Sequence, residues 1–204
     1  MTAVLILLVL LFPAQRTEPW TWSQRVEYQE NHDPSMVWLR DGRKLQVEFS
    51  VIPWKIVNKW PAGKALELVY DAELGLRLVD PETKKFLPVL GGLERHPIDL
   101  ALAACLEKNG TTTGMVDCYG EAEGRWDQEL NRAYCTLLAP LDEQSKRKVQ
   151  EAQRAWLSFR DGQLSAISAV YGAREGTVWR VVAARQSMEV VREQALRLAS
   201  FQAW

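Results

Sequence analysis

The sequence predicts an α+β chain, in which a small antiparallel β-meander precedes an antiparallel helical bundle of three long helices and one short one. Two observations carry this reading. Between Met36 and Leu90, short β-branched and aromatic runs alternate with turn residues, whereas from Ile98 onward apolar residues recur at steps of three and four. Gly91-Gly92 and His96-Pro97 punctuate the change, which places a small β-rich domain over residues 20–95 and a helical domain over residues 96–204.

The strand signals come in order. Residues 36–40 run into Asp41-Gly42, a hairpin signal, and residues 43–51 then place Leu45, Val47, Phe49 and Val51 on one face. Residues 54–60 predict a further strand, ending at Pro61-Ala-Gly63. Residues 64–70, 74–79 and 85–89 continue the meander, with Asp80-Pro81-Glu82-Thr83 as a turn. Five or six strands in this arrangement form a small sheet or an open barrel.

The helical half is equally segmented. Residues 98–108 predict a short helix that breaks at Asn109-Gly110. A second helix carries Val116, Tyr119, Glu123, Trp126, Leu130, Tyr134 and Leu137 on one stripe and is stopped by Pro140. Asp142 caps a third, whose stripe is Val149, Ala152, Trp156, Phe159, Gln163, Ile167 and Val170. After the break over residues 172–176, a last helix carries Val181, Ala184, Met188, Val191, Ala195 and Leu198.

The start of the chain bears on compartment. Residues 3–12 are an unbroken apolar run, about half of what a spanning helix needs. The run fits the core of a secretory signal over residues 1–14 with cleavage after Ala14, and the alternatives are an uncleaved apolar arm or a misassigned start codon. Export to the periplasm or beyond makes a disulfide admissible. Cys105 sits near the end of the short helix and Cys118 in the first turns of the next, so a bridge between them staples the two, while Cys135, beside Tyr134, reads as a buried free thiol.

Within this half, Glu123-Gly-Arg-Trp-Asp-Gln-Glu-Leu-Asn-Arg-Ala-Tyr134 is followed by Gln153-Arg-Ala-Trp-Leu-Ser-Phe-Arg-Asp161. The pattern resembles the LprI-like family, small exported bacterial proteins named after a lipoprotein inhibitor of lysozyme. The resemblance rests on Leu130, Asn131 and Tyr134 and on Gln153, Trp156, Arg160 and Asp161, and it covers about residues 97–200. It implies a helical binding protein whose partner is a lysozyme-type or other wall hydrolase, met through protein contact. The residues themselves read as structural: Trp156 and Tyr134 on facing stripes, Asn131 and Gln153 as their polar partners, and Arg160 paired with Asp127 or Asp161. A further cysteine pair usual in that family is absent, with Leu164 in one of its places, so packing of Trp179, Val181 and Val182 replaces it.

Composition excludes several functions. A formal net charge of −1, evenly distributed, advertises no nucleic-acid surface. Nor does it supply the acidic bias that attracts a cationic protein over distance. His32 and His96 both fall in loops and read as solvated or turn-associated; no close Cys or His pair marks a metal site, and no cofactor motif is present. Glu121, Glu123, Asp127 and Glu129 read as solvated helix charge, and no nucleophile, base and orienter assemble, so the protein reads as a non-enzyme. Nine tryptophans leave a second reading: Trp54 and Trp60, at even spacing, share a strand face that stacks on glycan, or else fill a sheet core.

Overall fold

The computed structural model describes residues 20–33, 35–48, 55 and 59–201. The apolar run, the processing point at Ala14, Trp54 and the side chain of His32 lie outside them. Six strands come first: β1 (Thr21–Asp33), β2 (Met36–Leu39), β3 (Lys44–Val47), β4 (Ala65–Asp71), β5 (Gly75–Val79) and β6 (Phe86–Gly91). Four helices follow: α1 (Pro97–Lys108), α2 (Thr112–Leu138), α3 (Glu143–Gly172) and α4 (Val178–Ser200).

The strands close into an antiparallel barrel in the order β1-β2-β3-β6-β5-β4, so the expected meander is two meanders joined along β3–β6 and β1–β4. Closure depends on β1, a strand that lies ahead of the segment in which the sequence predicts strands. Its ladder with β4 covers Thr21 to Glu27, and after register shifts on either side of Glu30 its second part pairs with β2. Closing the barrel removes the sheet edges that an open meander would expose. Alternate residues point inward, among them Val26, Tyr28, Leu45, Leu66, Leu68 and Leu78, which form one buried core.

Two strand expectations need correction. Among the described residues of 43–51, Lys44 to Val47 are strand and Arg43 and Glu48 are not, with Phe49 and Val51 outside them. Among the described residues of 54–60, Lys55, Lys59 and Trp60 belong to no strand. Turn chemistry was read correctly: Gly42 has φ +89°, and the Asp41 carboxylate accepts from the Arg43 amide at 3.1 Å. Gly92, in the boundary pair, has φ +98°, and a Cβ there would lie 2.0 Å from the Lys44 carbonyl oxygen. Only glycine lets the chain pass β3 on its way into α1.

Helix ends follow their capping residues. His96 caps α1, its Nδ1 accepting from the Ile98 amide at 3.2 Å, with Pro97 at the first helical position. Thr111 caps α2 by accepting from Gly114, and Asp142 caps α3 by accepting from Gln144 and Ser145. Consecutive helices reverse direction, which leaves α2 and α4 starting at the same end, where the Thr112 and Thr177 hydroxyls lie 3.4 Å apart. These two make the most extensive helix contact, while α3 packs mainly on α4.

The barrel and the helices share a second core. Tyr70 joins Ile98, Ala122, Trp126, Leu130, Ala133, Met188, Val191 and Ala195, with Trp20, Trp22 and Leu76 of the barrel side packed against them. His96 is therefore no solvated loop residue: its ring lies 5.0 Å from that of Tyr70 and 4.5 Å from that of Trp126. Glu129 is no solvated charge either. It is 4% exposed, accepts from the Tyr70 hydroxyl at 2.7 Å and pairs with Arg132, so it binds barrel to bundle through a satisfied buried carboxylate.

Candidate protein-binding site

The end at which α2 and α4 begin is built from two short loops. On one side α1 ends at Lys108, Asn109 donates its side-chain amide to the Cys105 carbonyl at 3.0 Å, and Thr111 opens α2. Cys105 and Cys118 are bridged as expected, with Cα atoms 5.8 Å apart. On the other side α3 ends at Gly172, and the chain turns through Ala173, Arg174, Glu175 and Gly176 (φ +96°) into Thr177. The Thr112–Thr177 approach joins the loops into one tip, and residues 107–111 and 172–178 are all exposed.

An aromatic clamp lies at this tip. The Tyr171 and Trp179 rings stack at 6.0 Å, and the Arg174 guanidinium lies 4.3 Å from the Trp179 centroid and 5.3 Å from that of Tyr171. Trp179 takes part as expected. Val181 and Val182 are half-buried on α4.

Removing the bridge tests how far the tip depends on it. For a closed loop of this size the chain-entropy model gives about 3 kcal/mol. Replacing both Cys105 and Cys118 by Ser should lower the unfolding free energy by about that amount in a urea titration; an unchanged midpoint would show that the loop is held without the covalent link.

The motif residues divide by helix. Leu130 is buried, and Tyr134 and Trp156 are partly buried against the second core. Gln153, the one buried residue of α3, accepts from Gln194 of α4 at 3.0 Å. Asn131 is exposed and donates to the backbone oxygen of Asp127 at 2.9 Å and its carboxylate at 3.3 Å, all on its own helix. The expectation that Asn131 and Gln153 serve Tyr134 and Trp156 across the α2–α3 pair is thus corrected. Arg160 pairs with Asp161 at 2.8 Å and lies 5.7 Å from the Trp156 ring centroid. Burial raises the carboxyl pKa of Glu123 above its ordinary value, with Asp127 adding to the rise and Arg160 opposing it.

The stripe expected on α3 is only partly covered. Phe159 is 57% and Val170 51% exposed, because the face turned inward runs through Gln153, Trp156, Arg160, Leu164 and Ile167. An open groove of about 530 Å³ follows, between α3 and α4, with Trp156, Phe159, Gln163, Val190, Glu193 and Arg197 among its walls. Cys135 is exposed, which corrects the buried thiol.

The glycan face does not form among the described tryptophans. Trp60 is 9% exposed and packs edge-on to Tyr28 at 5.7 Å in the barrel core, so it is core rather than a binding side chain. Trp20 and Trp22 pack on the second core, Trp20 under the Arg125 guanidinium at 4.2 Å, and Trp38 lies under the Lys44 ammonium at 4.2 Å. No group of three or more His, Cys, Asp or Glu among the described residues is placed to hold a metal, and none of the helices there is long and apolar enough to cross a membrane.

A capped, disulfide-stapled helical region fused to a barrel is the class of protein these features define. Residues 105–198 match the family model described as Lysozyme inhibitor LprI. No curated protein matches the chain. A protein of Burkholderia thailandensis, known from a crystal structure and described as uncharacterized, is 33% identical over a match covering 52% of this chain and 53% of that one, with a TM-score of 0.49. The chain thus spans about half the length of that relative.

Proposed function

We propose that the protein is exported and inhibits a lysozyme-type or related wall hydrolase through direct contact made by its helical half. The observation that carries the reading is the LprI match over residues 105–198, the region in which the stapled tip is found. The LprI description names inhibition and no catalysis, and the polar groups of the helical half are spent on caps, ion pairs and packing rather than on an assembled nucleophile and base. An oxidising compartment, periplasmic or extracellular, suits the Cys105–Cys118 bridge.

In this reading residues 1–14 are a signal peptide, the barrel domain of residues 20–95 is a platform, and residues 96–204 engage the enzyme. The motif residues Asp127, Leu130, Asn131, Tyr134, Gln153, Trp156, Arg160 and Asp161 position helices rather than touch the partner. Inhibition works by occlusion, because a polar loop that fills a hydrolase cleft excludes substrate.

The reading is tested by the rate at which c-type and g-type lysozymes clear a peptidoglycan suspension in the presence of the chain from Gln15 onward. The expected result is a dose-dependent loss of clearing by at least one of them, at low salt and about micromolar protein. Full activity of both, with no complex on size exclusion, would count against inhibition, and co-sedimentation with peptidoglycan alone would move the function to the wall polymer.

A further inference from the structure

Resting on that inhibitor reading, we infer that Arg174 is the group the tip presents to the paired carboxylates of a glycoside hydrolase cleft. The loops of residues 109–111 and 173–177 flank it. Most glycosidases cleave between two carboxyl groups that face each other across a groove. An occluding surface complementary to such a groove is exposed, narrow and cationic at its leading point. The tip meets these conditions.

Arg174 differs from five of the helix arginines in making no ion pair among the described residues, a property it shares with Arg147, Arg154, Arg180 and Arg197, and it differs from all of these in its place on a loop. Arg125, Arg132, Arg160, Arg185 and Arg192 each spend their charge on a carboxylate: Glu121, Glu129, Asp161, Glu189 and Asp99. Arg174 has no carboxylate partner among the described residues, and it sits on a loop rather than along a helix. Its backbone is tied by its amide donating to the Tyr171 carbonyl at 3.2 Å, and its guanidinium rests over the Tyr171 and Trp179 rings. A guanidinium held this way keeps its donors available, and little side-chain freedom remains to be lost on binding. The fork geometry suits a carboxylate, which a lysine at the same place would meet as a point charge.

The neighbouring charges cancel: exposed Lys108 and Arg180 are balanced by exposed Glu107 and Glu175, so Arg174 carries the net charge of this end. The Thr112–Thr177 approach and the Cys105–Cys118 bridge hold the neighbouring loop beside Arg174, so the two loops enter a groove as one body. By contrast, the groove between α3 and α4 is concave and would leave an enzyme's own cleft open.

The inhibition constant of the intact chain against a c-type lysozyme decides the matter, measured with peptidoglycan as substrate and with thermal melting as a check on folding. Arg174→Ala should weaken inhibition by about 30-fold or more, the range expected when one member of a desolvated charge pair is truncated. Arg174→Glu should abolish inhibition, Arg174→Lys should retain part of it, and Arg40→Ala on the barrel should leave it unchanged. The wild-type chain should raise KM without lowering kcat. Against an enzyme whose catalytic carboxylate is replaced by its amide, wild type and Arg174→Ala should bind alike. Wild-type inhibition undiminished in Arg174→Glu overturns the inference while leaving the inhibitor reading in place. Failure of the wild-type chain to inhibit any muramidase overturns the reading itself, and the inference with it.

Discussion

Replacing Trp126 by Ala should lower the unfolding free energy by about 3–5 kcal/mol, the range for deleting a large aromatic from a packed core. Trp126 is 0% exposed and lies where the barrel and the helices meet. Its ring lies beside that of His96, which in turn contacts Tyr70 of β4, and the Arg192 guanidinium lies 5.4 Å from its centroid while forming a two-point pair with Asp99 of α1. One side chain therefore touches groups from β4, α1 and α4 through at most one intermediary. Truncation leaves a cavity that none of them can fill without giving up a polar contact, which is why the upper end of the range applies. Denaturant unfolding checks it: the midpoint should fall with little change in slope, and Trp126→Phe should lose less. A loss below about 1 kcal/mol would mean that the shared core collapses freely around the gap.

Acid should destabilise the protein through the same joint. Burial holds the His96 imidazole well below its ordinary pKa of 6.5, at about 4; Glu129 and Asp99 oppose the fall, and Arg132 and Arg192 reinforce it. The cap depends on the neutral form, because Nδ1 must offer its lone pair to the Ile98 amide. The sign follows from linkage: between pH 4 and 6.5 the unfolded chain binds a proton at His96 that the folded chain does not. The contribution is whole above pH 6.5 and falls as pH drops through 4, by on the order of 3 kcal/mol. The raised Glu123 acts in the opposite sense, contributing stability at low pH that is lost as pH rises. A comparison with His96→Asn cancels that effect, because asparagine keeps a capping oxygen and does not titrate. Wild-type stability should fall more steeply than that of His96→Asn between pH 6.5 and 4. Parallel curves would show that His96 is protonated in the folded state without consequence.

Much of the helical half was legible in the sequence, because its signals are local. Pro140 and Asp142 set one connection, and the Met188, Val191, Ala195 and Leu198 stripe of α4 is buried as the periodicity predicts. Glu129 was misread, yet its signal was present: it lies between Trp126 and Leu130 on one side and Ala133 on the other, on the buried face of α2. Cys135 was read from its neighbour Tyr134, although it falls off the line through Trp126, Leu130 and Ala133. The stripe of α3 was placed about a quarter-turn from the covered face, since a period shows that a helix is amphipathic but not which neighbour covers it. Here the neighbour is mainly α4, with Gln153 meeting Gln194.

The barrel was harder to read. In β1 most residues are polar, and among its described side chains only Trp22, Val26 and Tyr28 turn inward, too sparse a pattern for a strand of thirteen residues to stand out. Closure rests on the β1–β4 and β3–β6 ladders, pairings between segments far apart in sequence that no local turn signal announces. The tip was visible only as two separate exposed loops. Their union depends on α2 and α4 starting at the same end, which is a property of helix packing.

Calorimetric titration of the intact chain into a c-type lysozyme, first with its cleft empty and then saturated with a soluble chitin oligosaccharide, tests occlusion of the cleft most directly. Saturable one-to-one binding to the empty enzyme, lost when oligosaccharide fills the cleft, is the predicted result. Binding that is indifferent to the oligosaccharide, or no binding to either form, would contradict it.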